Sequence, residues 1–198
     1  TDTLAGEIRR EFPGKPVVIN RNCASMEMQI LSHDAVEQVE KDPEHIFIGY
    51  FSGSKTHDQD FEVAEEALLE VMKEHPEVRL KLVGVLSDRK MEKFGNKVEK
   101  LPFMDWKQLP SVMAGIDINL MPLEDSIFHC SKSENKWMEA ALVKVPSVMS
   151  RNREMKGVIE NGVDGWLCSD KEEWKKALTT LIEEKTAEYR WVKKPIKK

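Results

Sequence analysis

Phe128-His129-Cys130-Ser131-Lys132-Ser133-Glu134-Asn135-Lys136-Trp137-Met138-Glu139-Ala140-Ala141-Leu142-Val143-Lys144-Val145-Pro146-Ser147-Val148 reads as a polar loop, a helix and a buried strand in succession. Ser133 is placed to cap the helix, its hydroxyl accepting a first-turn N–H. Trp137, Ala140, Ala141 and Leu142 supply an apolar face. Pro146 cannot continue a helix, so the chain restarts as a strand at 147–150. Free N–H groups of the first turn then face the loop that carries Lys132, an arrangement that suits an anion. Lys136 and Glu139 are three residues apart and share one helix face. The same pair also fits an ordinary solvated helix surface.

Working outward, apolar runs begin near residues 46, 78, 97, 117, 147 and 165, with helical patterns between them. That alternation predicts an α/β fold: a Rossmann-like open parallel sheet with helices on both faces. Residues 46–51 are almost continuously apolar, as a strand buried on both faces requires. A helix follows, capped near Asp58 or Asp60, with Phe61, Ala64, Leu68 and Met72 on one side. Residues 106–115 read as a helix. Asp170 caps a last amphipathic helix carrying Trp174, Ala177, Leu178, Leu181 and Ile182. Toward the N-terminus, 2–12 reads as a helix, 16–20 as a short strand and 26–41 as a helix.

Ligands of such sheets bind outside the carboxyl ends of the strands. The loops after the strands at 46, 97 and 117 should therefore converge on one crevice. The first is Ser52-Gly53-Ser54-Lys55-Thr56-His57-Asp58. Gly53 and Ser54 leave room for a ligand near the backbone, Lys55 offers positive charge and His57 a hydrogen bond. The glycine pattern of a P-loop is absent, and these residues equally suit an ordinary strand-to-helix loop. In the second loop, Phe103 fits either a ring contact or the core. Glu124 and Asp125 open the third and are assigned to its outer edge or to sugar hydroxyls. His129-Cys130 reads as incidental loop composition. Arg151 and Arg153 follow a strand end and suit either the crevice or the surface.

The 198 residues suit one domain with short appendages. Charges are abundant but mixed, with a net of −5, so the basic field of a nucleic-acid binder is missing. No apolar run reaches membrane-span length and no signal peptide opens the chain. Cys23, Cys130 and Cys168 are scattered, as reduced cytoplasmic thiols would be. No His-x-x-x-His spacing suggests zinc. Residues 185–198 carry six lysines or arginines with Tyr189 and Trp191. Such a tail can touch an anionic membrane or simply stay solvated.

Lys132-Ser133-Glu134-Asn135-Lys136-Trp137-Met138-Glu139-Ala140-Ala141 resembles the donor-binding motif of retaining nucleotide-sugar glycosyltransferases of the GT-B fold (the family 4-like, or group 1, enzymes). Ile48-Gly49-Tyr50-Phe51-Ser52-Gly53-Ser54-Lys55-Thr56-His57-Asp58 is similar to the first strand and loop of the donor domain in a bacterial glycan-assembly branch. The Val78–Gly84 run and Glu160-Asn161-Gly162-Val163-Asp164-Gly165-Trp166-Leu167 resemble later family strands. The resemblance covers about residues 16–184 and implies the C-terminal half of a GT-B fold. Residues 1–22 would be the end of a missing N-terminal acceptor domain and its linker, 23–184 the donor domain and 185–198 a loose basic tail.

The resemblance also implies roles. Glu139 matches the glutamate that holds the ribose. The family's second, upstream glutamate is replaced by Ser131, and no glycine loop surrounds it. Lys132 and Glu134 are the candidate catalytic residues. Lys132, with the backbone at Ser133 and Glu134, would hold the diphosphate, assisted by Lys55 or Lys136. Glu134 would take over contacts to sugar hydroxyls. Gly53, Ser54, Lys55, His57, Phe103, Ser133, Lys136 and Glu139 complete the donor site, with Phe103 or Met104 beside the base. No metal or other cofactor is implied, since positive side chains stand in for one. The partners implied are a nucleoside-diphosphate sugar and a glycan or lipid-linked acceptor, at a cytoplasmic location on the inner face of a membrane where the acceptor is lipid-linked. Alone, the chain is expected to bind donor without transferring sugar. A sugar-nucleotide epimerase half-domain and a non-catalytic nucleotide-binding module are the alternatives.

Overall fold

A computed structural model of the chain describes residues 1–53, 58–86 and 90–192. Ser54, Lys55 and His57 of the first loop, and the last six residues of the basic tail, lie outside the described residues. Six strands form one parallel sheet in the order β3-β2-β1-β4-β5-β6. They are β1 (Ile46–Ser52), β2 (Val78–Gly84), β3 (Val98–Leu101), β4 (Ile118–Met121), β5 (Ser147–Ser150) and β6 (Trp166–Cys168). Ile48 of β1 pairs with Leu80 on one side and Ile118 on the other, which fixes the register at the centre.

Alternation along β1 divides the core in two. Ile46, Ile48 and Tyr50 point to a layer made by α3 (Asp58–Glu74) and α8 (Lys171–Val192), where Phe61, Leu68, Trp174 and Leu178 are buried. Phe47 and Phe51 point to the opposite layer. There α2 (Met26–Gln38), α4 (Leu109–Ala114) and α6 (Asn135–Leu142) contribute Ala35, Met113 and Ala140. This is the two-sided α/β sheet expected. Trp174 is fully buried on α8, and deleting such a ring typically costs about 3–5 kcal/mol. Asp170 Oδ1 accepts the Glu173 N–H at 2.9 Å, the cap anticipated for α8.

The N-terminal part departs from expectation. After α1 (Asp2–Glu11), residues 16–20 form no strand, and Val18 is 89% exposed. No strand lies beside this apolar triplet to pair its backbone, so it stays irregular. The α2 helix stops at Gln38, where Val39 turns extended while its N–H still bonds to Ala35. The helix expected over 106–115 is confined to α4, which starts with Pro110 in its first turn and ends at Gly115. A short helix, α5 (Ile127–Cys130), occupies what reads as loop, capped by the Ser126 hydroxyl on the His129 N–H. Another, α7 (Arg153–Val158), follows β5. The start of the basic tail continues α8 to Val192.

Gly84 ends β2 at φ +98, and a Cβ built there would lie 1.8 Å from the Ser52 carbonyl oxygen at the end of β1. Both strain and collision therefore oppose any side chain. Gly84→Ala should destabilise the fold by roughly 2 kcal/mol or more in chemical denaturation.

Candidate functional site

The chain winds from β1 out to β3, then returns to β4 on the other side of β1. The loops after β1 and β4 consequently diverge and leave a crevice at the carboxyl edge. Gly53 ends the β1 side, exposed, with no heavy atom of the described residues within 4 Å of where a Cβ would sit. On the β4 side, residues 122–134 lead through α5 to α6. A cavity of about 300 Å³ opens on this side, lined by Met121, Leu123, Lys132, Ser133, Asn135 and Lys136.

Two lysines face this cavity. The Lys136 ammonium lies over the Tyr50 ring, 5.4 Å from its centroid. Burial brings its pKa down to about 8; Asp60 and Glu139 act in the opposite direction, while Lys132 adds to the lowering. Lys132 stands 5.1 Å from the Phe128 ring centroid and 3.4 Å from Asp60 Oδ2. Glu139, one turn further along α6, opens into an adjoining cavity of about 360 Å³ that shares Asn135 with the first. Burial raises the Glu139 carboxyl above its ordinary value, with Lys136 opposing the shift. Lys132, Ser133, Lys136 and Glu139 therefore meet across Asn135.

Other expected residues are placed differently. Ser133 is not the N-cap: α6 starts at Asn135, Glu134 holds the cap position, and no side chain bonds to its first turn. The Ser133 hydroxyl instead accepts from Asn22 Nδ2 at 2.8 Å and contacts Asn135 Oδ1 at 3.1 Å. Glu134 is partly buried; its Oε2 is 3.6 Å from Arg21 Nη1 and has no hydrogen bond. Phe103 is 67% exposed, lies outside the core and is not among the described residues that line these two cavities. Trp106 is the aromatic that lines the Glu139 cavity. Trp137 packs on Met149 and its neighbours, its indole N–H donating to the Asp164 carbonyl at 2.7 Å. Glu124, Asp125 and Arg151 line a separate cavity of about 350 Å³. The Arg151 guanidinium donates to the Leu167 carbonyl.

Sequence reasoning missed a buried cluster. Asp60, in the first turn of α3, is 1% exposed and His129 8%. His129 Nε2 is 3.1 Å from Asp60 Oδ1, and its Nδ1 is 2.7 Å from the Ser126 hydroxyl. His129 is thus a structural partner of Asp60 and not incidental loop composition. The legible signal was Ser126 three residues before His129, a capping spacing. Among the described residues no group of three His, Cys, Asp or Glu could hold a metal, and no helix is long and apolar enough to cross a membrane.

Residues 42–184 match the family model described as glycosyl transferases group 1. No curated protein sequence matches the chain. Solved structures share the fold. Anabaena Alr3699/HepE in complex with UDP is 21% identical with a TM-score of 0.56, over 84% of this chain and 46% of that one. The C-terminal domain of the group 1 glycosyl transferase LpcC from Francisella tularensis is 17% identical, TM-score 0.55, over 87% and 95%. A putative UDP-N-acetylglucosamine 2-epimerase from Listeria monocytogenes is 14% identical, TM-score 0.54, over 86% and 44%. The chain thus spans about half the length of HepE and the epimerase and nearly all of the LpcC domain.

Lys136 is charged below a pKa of about 8 and neutral above it. Its affinity for an anion should therefore fall as pH rises from 7 to 9. Pyrophosphate titration should show that loss, and Lys136→Met should flatten the pH dependence.

Proposed function

The chain belongs to the group 1 glycosyl transferases, and from that premise we propose that it is the donor-binding half of an enzyme transferring sugar from a nucleoside diphosphate to a glycan or lipid-linked acceptor, with retention. The observation that carries this reading is the meeting of Lys132, Lys136 and Glu139 at the point where the sheet order reverses. The two ammonium groups suit the diphosphate. At about 4 Å each is worth roughly 4 kcal/mol of attraction per phosphate charge at a surface-like dielectric. They supply that charge without a divalent metal, at the moment the leaving group gains it. Glu139 suits the ribose hydroxyls, and Trp106 offers a face to the base. Glu134, beside Ser133 and Asn135 of the cavity wall, is assigned to sugar hydroxyls. The acceptor and any group acting on it belong to a preceding domain, so this chain alone binds donor and transfers nothing. The work is cytoplasmic, at the membrane face if the acceptor is lipid-linked.

Because the HepE complex contains UDP, that nucleotide is the first to test. Calorimetric titration with UDP, GDP and ADP should show saturable binding of one of them. Lys132→Ala and Glu139→Ala should each weaken it about tenfold, the size of one charge-assisted hydrogen bond. Binding unchanged by both substitutions would refute the assignment. An epimerase, which shares the fold, would release an isomerised sugar nucleotide from the full-length protein instead of free nucleoside diphosphate.

A further inference from the structure

Three polar contacts of the Asp60 carboxylate lead to one segment of chain. Oδ1 accepts the Glu124 backbone N–H at 2.9 Å and faces His129 Nε2 at 3.1 Å. Oδ2 faces Lys132 Nζ at 3.4 Å. Glu124, His129 and Lys132 mark the beginning, middle and end of the connection from β4 to α6. Asp60 itself sits on α3, which is clamped against the sheet by Phe61 and Leu68. The carboxylate is therefore a fixed post to which the whole connection is tied.

Both ring nitrogens of His129 are engaged in this arrangement. Nε2 faces Asp60 Oδ1 and Nδ1 faces the Ser126 hydroxyl, while the Ser126 oxygen accepts the His129 N–H at 3.3 Å. Rotation of the ring would break bonds at both nitrogens. The Phe128 ring packs edge-on against His129, centroids 5.2 Å apart, and also supports the Lys132 ammonium. The position of Lys132 is thereby set by Asp60 directly and by His129 through Phe128.

We propose that Asp60 and His129 are positioning residues of the donor site: together they hold the β4–α6 connection so that Lys132 waits beside the diphosphate position. The proposal rests on the donor reading above. It assigns to a side-chain staple the work of shaping a loop that has no glycines to shape it. Lys132 exchanges the single, long contact with Asp60 for the phosphates when donor arrives. The carboxylate then remains to hold Glu124 and His129.

Two readouts on this chain test it. In amide hydrogen exchange without ligand, Glu124 and residues 129–132 should be protected, and Asp60→Asn should expose them while β1 and β4 stay protected. In UDP titration, Asp60→Asn and His129→Phe should each weaken binding about tenfold, with melting temperatures within about 3 °C of the parent. His129→Gln, whose amide can still donate to Asp60, should stay within about threefold. Tighter or unchanged UDP binding in Asp60→Asn would overturn the proposal, since the carboxylate would then only oppose the anion. Equal losses in His129→Gln and His129→Phe would also overturn it. If the parent chain binds no nucleotide, the donor reading fails. The exchange data then decide the staple separately: unprotected residues 129–132 in the parent would remove it as well.

Discussion

A parallel sheet that grows outward in both directions from one pair of neighbouring strands must leave a gap between the loops of that pair. Here the pair is β1 and β4, and everything of chemical interest in this chain gathers at their carboxyl ends. The order follows from right-handed crossovers: α3, after β1, covers one face, while α4 and α6, on either side of β4 in the chain, cover the other. The gap costs nothing extra, because backbone groups at strand ends are free to bond outward. On the other side of β1, Gly84 lets β2 end against the Ser52 carbonyl.

Charge is then placed in that gap against its own tendency to seek water. Lys136 lies over Tyr50 in surroundings that bring its pKa down to about 8, so its positive charge is held at a cost that an incoming anion would relieve. Lys132 is steadied by Asp60 and Phe128. A preorganised pair of ammonium groups does not reorganise when negative charge builds on a leaving diphosphate, which is where electrostatic catalysis gains most. Glu139 lies in the adjoining cavity, separated from the lysines by Asn135, as two recognition tasks on one molecule would require.

The sheet was legible because its strands are short apolar runs spaced by helical patterns, and burial enforces both periods. Residues 16–20 show the limit of that reasoning: the triplet is apolar, but a strand needs a neighbour, and sequence does not reveal one. That Lys132, Lys136 and Glu139 lie near one another was readable because they sit on one continuous loop and helix. The Ser133 cap was misplaced by one position since Asn22, distant in sequence, takes up its hydroxyl. The Asp60–His129 pair was invisible for the same reason. Each residue alone looks like a helix-start acid or a loop histidine, and only the packing of α3 beside α5 brings them together. Trp106 was read as the start of a helix, yet that helix begins later, at Leu109, which leaves the ring free to line the Glu139 cavity.

The central claim is that this crevice is where a nucleoside diphosphate binds. A crystal structure of the chain grown with UDP tests it most directly. The account predicts the diphosphate between Lys132 and Lys136, the ribose at Glu139 and the base toward Trp106. A nucleotide seated instead in the cavity beside Arg151 and Glu124, or away from the carboxyl edge of the sheet, would contradict it.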